Sequence, residues 1–319
     1  MDDHIISRAS ACGKIILCGE HAVVYARPAI ALPLASIRAH AVITRGIPGA
    51  GLCFVAPDLG RRWLLAATPD DPMAELVTTT LRRLGVAQPL DLRITVTSDL
   101  PIASGMGSGA AIATAVVRAL AAALDRTLEP ADISAQVYDS ERRYHGTPSG
   151  IDNTVVAHEQ AIWFQRRTEP PHVIEPITIG APFTLLIGDT GVRSATRLPV
   201  GDVRRRWQED PTHYEALFDQ VAAIVTRTRT VLASGDLGTL GALLNQNQEL
   251  LERIGVSSPE LERLVEAARS AGAYGAKLSG AGWGGVMIAL VDDRSADGVR
   301  SALMQAGATR VLQTTVGAG

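Results

Sequence analysis

The chain has 319 residues, which is long enough for two domains that each bury a sizeable core. Its composition, 46% hydrophobic and 20% charged, is ordinary for a globular protein, and no apolar run reaches the length of a membrane span. A net charge of −3 argues against nucleic acid or an anionic membrane surface as the main partner.

The first half of the sequence is typical of strands interrupted by glycine or proline. Short stretches rich in Ile, Val, Ala and Leu, and one stretch of alternating apolar and polar residues, predict strands over 14–18, 28–44, 52–55, 62–66 and 90–98, and near 161–165. Capping signals and apolar runs predict helices over about 72–84, 108–124 and 132–145. A glycine-rich loop precedes the second of these helices, and the loop HGTPSGIDN follows the third.

Beyond about residue 175 amphipathic helices dominate. We expect strands over 183–191, 285–291 and 309–315, and helices over about 212–233, 236–253, 258–271 and 296–306. The fold class is therefore α+β, with a strand-rich domain over 1–175 and a helix-rich domain over 176–319. A cleft between two such halves is a usual place for a small-molecule site.

The stretch PIASGMGSGAA, residues 101–111, is the first candidate for chemistry. Its glycines allow backbone N–H groups to turn toward a ligand, and the start of the following helix adds unpaired N–H groups. Such a loop can hold a polyphosphate without a neighbouring lysine. It matches neither a P-loop nor a dinucleotide fingerprint, and a plain strand-to-helix turn would explain the same residues.

Two further segments carry candidate groups. In SERRYHGTPSGIDN, Glu141 lies on a predicted helix and Asp152 follows eleven residues later. Two such carboxylates can divide the work of a phosphotransferase, one holding Mg and the other facing the substrate hydroxyl. The segment KLSGAGWGG, residues 277–285, is rich in glycine, which rigid turns explain as well as ligand binding does.

Lysine is scarce, since 28 of the 30 basic residues are arginine. The two lysines, Lys14 and Lys277, both lie in glycine-containing segments. We expect a retained lysine where a compact ammonium must approach one oxygen, which a planar guanidinium cannot do in the same way. The three cysteines, which lack metal-ligand spacing, and an N-terminus without the layout of a signal peptide predict a cytoplasmic protein with reduced thiols.

Together, GKIILCGEHAVVY (13–25), the loop 101–111 and KLSGAGWGG resemble the three signature motifs of the GHMP kinase superfamily, in the family's order. HGTPSGIDN and LLERIGVSSPELERL (250–264) are similar to its mevalonate branch. The resemblance implies the two-domain GHMP fold with a ferredoxin-like C-terminal domain. It also implies ATP-dependent phosphorylation of the 5-hydroxyl of mevalonate for isoprenoid synthesis, with ATP and Mg required.

By that resemblance, Asp152 is expected to accept the proton of the substrate hydroxyl. Lys14 is expected to lie near the transferred phosphoryl group and to orient Asp152. Glu141 binds Mg, and the acceptor contacts Glu20, His21, Ser149 and Asp152. Residues expected to bind ATP are Ser98, Ala103, Ser104, Gly105, Met106, Gly107, Ser108 and Gly109. Asp58 is placed near the nucleoside, where the family has asparagine. We expect small-molecule partners, mevalonate and ATP, and a homodimer, with neither nucleic acid nor a membrane.

Besides Asp58, three positions within the signature motifs depart from the family pattern. Gly109 stands where mevalonate kinases use a serine to ligate Mg, with Ser108 as the neighbouring hydroxyl. We predict that water fills the gap, because adjacent residues at a helix start point about 100° apart. Ser279 replaces threonine, and Trp283 replaces glycine. Two alternative functions stay open. One is phosphorylation of phosphomevalonate or a related hydroxy acid, for which Arg193 and Arg197 are candidate contacts. The other is a catalytically silent nucleotide-binding homologue.

Overall fold

The computed structural model describes residues 4–86, 90–101, 104–145, 149–169 and 172–317. Its contacts divide the chain into two units, each assembled from separate stretches of sequence. The first unit comprises Met1–Gly13, Ile37–Ile102 and Gly107–Glu159. The second comprises Lys14–Ser36, Ala103–Met106 and Gln160–Gly319. Two long paired strands, β1 (Ile5–Cys18) and β2 (Pro28–Arg45), contribute residues to both.

In the first unit, helices pack around the buried helix α2. Its further strands are β3 (Cys53–Ala56), β4 (Arg61–Leu64) and β5 (Leu92–Ser98), and its helices are α1 (Pro72–Arg83), α2 (Ser108–Ala123), α3 (Pro130–His145) and α4 (Ile151–His158). Strand β5 pairs antiparallel with β2 and parallel with β3, and β3 pairs antiparallel with β4. Because α2 consists largely of alanine and valine, α1, α3 and α4 approach it closely.

The second unit contains a four-stranded antiparallel sheet and five helices in its described part. Two short strands, β6 (Ile162–Gln165) and β7 (Val173–Pro176), pair antiparallel with each other, and β6 also pairs antiparallel with β2. The strands of the four-stranded sheet are β8 (Phe183–Asp189), β9 (Gly275–Ser279), β10 (Val286–Val291) and β11 (Arg310–Val316). The helices are α5 (Arg197–Glu209), α6 (Pro211–Ser234), α7 (Leu237–Ile254), α8 (Pro259–Ser270) and α9 (Ala296–Gln305). The sheet has the order β11-β8-β10-β9, and its central strand β10 is wholly buried, as its apolar sequence requires.

The predicted mixed α+β class and nearly all predicted elements are confirmed. Strand β1 begins at Ile5, nine residues before the predicted start. Helix α4 replaces the end of a predicted loop, strand β9 replaces the start of another, and α5 and β7 were not predicted. Helix α5 lacks a clear apolar stripe and contains Pro199, but Asp202 pairs with Arg205 and Arg206 one turn later and stabilises it.

No helix in the described ranges is both long and apolar enough to span a bilayer. Cys12, Cys18 and Cys53 are buried thiols, and burial raises the pKa of the Cys18 thiol to about 12. A thiol with so high a pKa is not a nucleophile near neutral pH.

Candidate active site

The predicted phosphate loop is a strand–loop–helix junction, as the sequence indicates. Gly105 and Gly107 have φ values of 81° and 71°, a left-handed conformation that glycine adopts without strain. Gly107 is the N-cap of α2, so the loop ends at the free N–H groups of a helix start. These donors and the helix dipole suit phosphate oxygens. Ala103 lies outside the described residues.

Lys14 is tied to this loop through the backbone. Its N–H donates to the Met106 carbonyl oxygen at 3.0 Å, which joins β1 to the segment just before the glycine cap. Lys14 is 4% exposed, so its long side chain runs through packed protein. Lys14 and Met106 both belong to the second unit, and the role of the Lys14 side chain in the site stays a prediction.

Gly109 lies directly against the Glu141 carboxylate in the first unit. A Cβ atom added at Gly109 would be 2.9 Å from Glu141 Oε1. Glu141 lies on α3 and is 8% exposed, and α3 packs on α2. The structure thus brings together the predicted metal ligand and the position where the family pattern has a second one.

The residues present fit Mg better than a transition metal. The described residues contain no cluster of three or more His, Cys, Asp or Glu side chains that could hold a metal by themselves. Mg²⁺ characteristically uses one or two carboxylates, substrate phosphates and several waters. A single buried carboxylate beside a loop rich in backbone N–H groups is such a donor set.

Asp152 lies in the first turn of α4, not in a loop as the sequence indicated. Gly150 caps the helix with a φ of 90°, and Ser149 Oγ accepts a hydrogen bond from the Ile151 N–H at 3.2 Å. Asn153, which is 6% exposed, donates to Ser134 Oγ at 2.8 Å and so fixes α4 to α3. Sequence reasoning missed Asn153 and Ser134, although Asn153 directly follows Asp152. Their bond orients the helix that carries Asp152.

Glu20 forms a buried ion pair with Lys277. The two side chains are 1% and 0% exposed, and Lys277 Nζ donates to Glu20 Oε1 and to the Leu278 carbonyl oxygen. Burial raises the pKa of the Glu20 carboxyl, and contact with Lys277 opposes that rise. Glu20 Oε2 is buried without a hydrogen-bond partner among the described residues, so it can still accept a donor from a ligand.

This pair explains why Lys277 is a lysine. Its ammonium lies in a fully buried space beside one carboxylate oxygen and one carbonyl, where a guanidinium has no room for its planar fork. Replacing Lys277 with methionine should lower the free energy of unfolding by about 3–5 kcal/mol, because Glu20 is left buried without its counter-ion. Urea unfolding at neutral pH measures the change.

Two further variants serve as controls for that prediction. Lys277→Met combined with Glu20→Gln should recover much of the lost stability, because no buried charge then lacks its partner. Arg205→Met breaks two exposed helix pairs, with Asp202 and with Glu209, each worth about 0.5 kcal/mol or less, and should therefore lower stability far less than Lys277→Met does. Wild-type stability in Lys277→Met would show that the pair contributes nothing to the fold.

His21 lies next to this pair and is held in one state. Its Nε2 lies 2.9 Å from the Ala281 carbonyl oxygen, and its φ is +61°. Burial, with a smaller contribution from Arg206, lowers the pKa of the imidazole to about 4. The ring is therefore neutral at pH 7, and because a carbonyl can only accept, Nε2 carries the hydrogen. Nδ1 is then the acceptor.

The third predicted segment, residues 277–285, forms the end of β9 and the tight loop that leads into β10. Ser279 Oγ donates to the Ile16 carbonyl oxygen at 2.9 Å and accepts from the Ile16 N–H at 3.1 Å, so the serine hydroxyl ties the end of β9 to β1. A small cavity of about 20 Å³ lies beside the loop, room for about one water. Its polar lining includes the hydroxyls of Ser104, Ser194, Thr196 and Ser279.

The two residues assigned to the nucleoside side are neighbours. The Ser98 N–H donates to Asp58 Oδ2 at 2.9 Å, and Ser98 Oγ accepts from the Leu100 N–H at 3.1 Å. Asp58 thus holds the end of β5 where the chain leaves for the glycine loop. An acceptor oxygen is what this bond requires, and the asparagine of the family pattern would supply one as well.

Family models match this chain in both halves. The N-terminal domain of the GHMP kinases matches residues 73–159, and the C-terminal domain of the GHMP kinases matches residues 228–309.

Individual relatives match over most of their length. The mevalonate kinase of Pyrococcus abyssi is 32% identical over 95% of this chain and 94% of its own. The mevalonate kinase of Aeropyrum pernix is 35% identical over 89% of this chain and 88% of its own. Among solved structures, L. major mevalonate kinase in complex with R-mevalonate superposes with a TM-score of 0.85 at 31% identity, covering 97% of this chain and 95% of that one. The chain therefore belongs to the GHMP kinase family, and these relatives, similar to it over most of its length, are mevalonate kinases.

Proposed function

We propose that this chain transfers the γ-phosphoryl group of ATP to the 5-hydroxyl of mevalonate, giving 5-phosphomevalonate. The observation that carries the proposal is the 31% identity, over 97% of the chain, to a mevalonate kinase whose crystal structure contains R-mevalonate. The strand–loop–helix junction with Glu141 beside Gly109 supports it independently, because phosphoryl transfer needs bound phosphates and a hard-cation ligand.

In the proposed reaction Asp152 accepts the proton of the 5-hydroxyl as its oxygen attacks the γ-phosphorus. The bond from phosphorus to the bridging oxygen of ADP breaks, and ADP leaves. Lys14 stabilises the negative charge on the transferred group, as a point charge suited to a single oxygen. The backbone of Ser104–Gly109 and the residue Ser98 bind ATP, and Ala103 belongs to the same predicted set.

We propose that mevalonate is recognised by hydrogen bonds that its hydroxyls donate to one carboxylate and one neutral group. Glu20 Oε2 and His21 Nδ1 are acceptors suited to the hydroxyls of a hydroxy acid. Ser149, whose hydroxyl already caps the turn before α4, completes the predicted set with Asp152. Buried polar groups that pair with substrate hydroxyls discriminate strongly against analogues that lack them.

Mg is proposed to be held by Glu141, phosphate oxygens and water, and it would neutralise charge on the β- and γ-phosphates when bound. Ser108 begins α2 and offers the neighbouring hydroxyl, so it stays a possible ligand. The protein's own contribution is to keep the Glu141 carboxylate buried against the start of α2.

Gly109→Ser should lower the Mg concentration needed for half-maximal rate several-fold. The new Cβ would displace the Glu141 carboxylate, which ends a flexible side chain, and would place a hydroxyl beside it. A Mg titration of the initial rate compares wild type, Gly109→Ser and Ser108→Ala. A sharply raised Mg requirement in Ser108→Ala, with no change in Gly109→Ser, would show that Ser108 is the ligand. Loss of activity in Gly109→Ser at every Mg concentration would show that glycine is needed for backbone approach.

A phosphorylated acceptor is the second candidate, and one observation weighs against it. Arg193 donates to both oxygens of the buried Asp189, at 2.7 and 2.9 Å, so its guanidinium is already used within the chain. Arg197, at the start of α5, is exposed and stays a candidate contact. A silent homologue is disfavoured because Lys14, Glu141 and Asp152 are all retained.

The domain boundary near residue 175, the homodimer and the cytoplasmic location stay proposals that accompany this function. The buried thiols support the last of these, since reduced cysteines are usual in the cytosol.

The proposed function is tested with an acceptor panel at saturating ATP and Mg. ADP release is measured with mevalonate, phosphomevalonate, galactose and homoserine. We expect ADP release with mevalonate and with none of the other three acceptors. Turnover with phosphomevalonate in its place would move the assignment to the second candidate, and ATP binding without turnover on any acceptor would favour the silent homologue.

A further inference from the structure

Trp283 occupies a backbone conformation that a bulky residue rarely adopts. Its φ is +55°, and its neighbours Gly280, Gly282, Gly284 and Gly285 have φ values of 97°, 80°, 123° and 77°. Glycine is the usual residue for such a run, and a tryptophan there is strained. Strain of this kind persists only where surrounding contacts compensate for it, so contacts made by Trp283 must hold this conformation.

The indole and backbone of Trp283 attach the loop to the end of α7. The Trp283 N–H donates to the Val256 carbonyl oxygen at 2.9 Å, and indole Nε1 donates to the Gly255 carbonyl oxygen at 3.1 Å. The contact is close, because a Cβ atom at Gly282 would be 2.1 Å from the Val256 oxygen. Two hydrogen bonds from one residue therefore fix the position of the loop against the turn that follows α7.

The same loop holds His21. The Ala281 carbonyl oxygen, two residues before Trp283, is the acceptor for His21 Nε2 at 2.9 Å. Moving Ala281 would break this bond, and the imidazole would then be free to rotate or to place its hydrogen on Nδ1. The tautomer that leaves Nδ1 as an acceptor thus depends on where Trp283 holds the loop.

We propose that Trp283 is a positioning residue of the acceptor site, because its bonds to Gly255 and Val256 hold the Ala281 carbonyl where it fixes the ring and tautomer of His21. The role of His21 in binding the acceptor rests on the proposed function. The effect of Trp283 on His21 does not, since it follows from contacts within the second unit alone.

The kinetic test uses Trp283→Gly, which suits the left-handed backbone but removes the indole, and Trp283→Phe, which keeps a ring and the backbone bond. Asp125→Gly is the matched control, because Asp125 has a φ of +51° and lies on the exposed turn after α2. We expect Trp283→Gly to raise KM for mevalonate about tenfold, as loss of a positioned hydrogen bond would, with KM for ATP unchanged. Trp283→Phe should show a smaller rise, and Asp125→Gly none.

A double-variant cycle with His21→Gln distinguishes positioning from general loosening. If Trp283 acts through His21, removing the indole has little left to disturb once His21 is replaced. KM for mevalonate in the double variant should then exceed KM in His21→Gln by less than about twofold. Independent, multiplying effects of the two variants would overturn the proposal. An unchanged KM in Trp283→Gly with only a lower Tm would do the same and would leave Trp283 a purely structural residue.

A spectroscopic readout is independent of the acceptor. Two-bond ¹⁵N–¹H spectra, with His21 assigned by its loss in His21→Gln, should show the Nε2-protonated tautomer in wild type and a mixture of tautomers in Trp283→Gly. An identical His21 signal in the two proteins would overturn the proposal. Should wild type fail to phosphorylate mevalonate, the proposed function fails while this measurement still decides the role of Trp283.

Discussion

Asp152→Asn should reduce the turnover number about 10³-fold or more while leaving ATP binding nearly unchanged. Asparagine matches aspartate in size and is tolerated in the first turn of a helix, so α4 should keep its place against α3 through Asn153 and Ser134. What the variant loses is the group that accepts the hydroxyl proton. The measurements are steady-state kcat with mevalonate and calorimetric binding of a non-hydrolysable ATP analogue.

The matched control is Asp132→Asn, which makes the same change in the first turn of α3. It should leave kcat within about twofold, since a first-turn carboxylate on an exposed helix end contributes mainly a small dipole interaction. If Asp152→Asn retained a tenth or more of the wild-type turnover, Asp152 would not be the general base.

Lys14→Arg should reduce turnover by about 10²–10³-fold, although it preserves the charge. The side chain is 4% exposed, so a longer and wider guanidinium must displace packed atoms or shift its charge away from the phosphoryl oxygen. The chain's strong preference for arginine makes this substitution a sharp test, because arginine replaces lysine almost everywhere else. The measurement is kcat at saturating ATP, Mg and mevalonate.

Circular dichroism and Tm must confirm that Lys14→Arg is folded, and Lys14→Met serves as a second variant that keeps similar bulk without charge. If a point contact is required, the two variants should show a similar reduction of kcat. Full activity in Lys14→Arg would contradict the prediction that a compact ammonium is required at this position. Lys14 would then act only through its charge.

The strand–loop–helix at 104–109 and the pattern of later elements could be predicted because local chemistry determines them. Glycines at left-handed positions and apolar periodicity do not depend on distant contacts. Helix α4 could not be predicted in the same way. Its start carries glycine and serine, and its helical state depends on the bond from Asn153 to Ser134 and on burial of Val155 and Val156.

The ion pair of Glu20 and Lys277 shows a second limit. The sequence indicates a role for each residue separately. Lys277 is one of only two lysines, and Glu20 is a candidate substrate contact by family resemblance. They are 257 positions apart, and no local pattern encodes a contact over that distance. The position of Gly109 against Glu141 differs from this case, because the family resemblance already assigns both positions to one Mg, and only the distance between them required the structure.

Product identity decides whether this chain phosphorylates the 5-hydroxyl of mevalonate. Incubation with ATP, Mg and mevalonate, followed by ³¹P NMR and mass detection, should yield ADP and one new phosphate monoester on the C5 oxygen in equal amounts. Asp152→Asn should yield neither in the same time. ATP consumption without a monoester on C5, or a product formed only from a different acceptor, would contradict the claim.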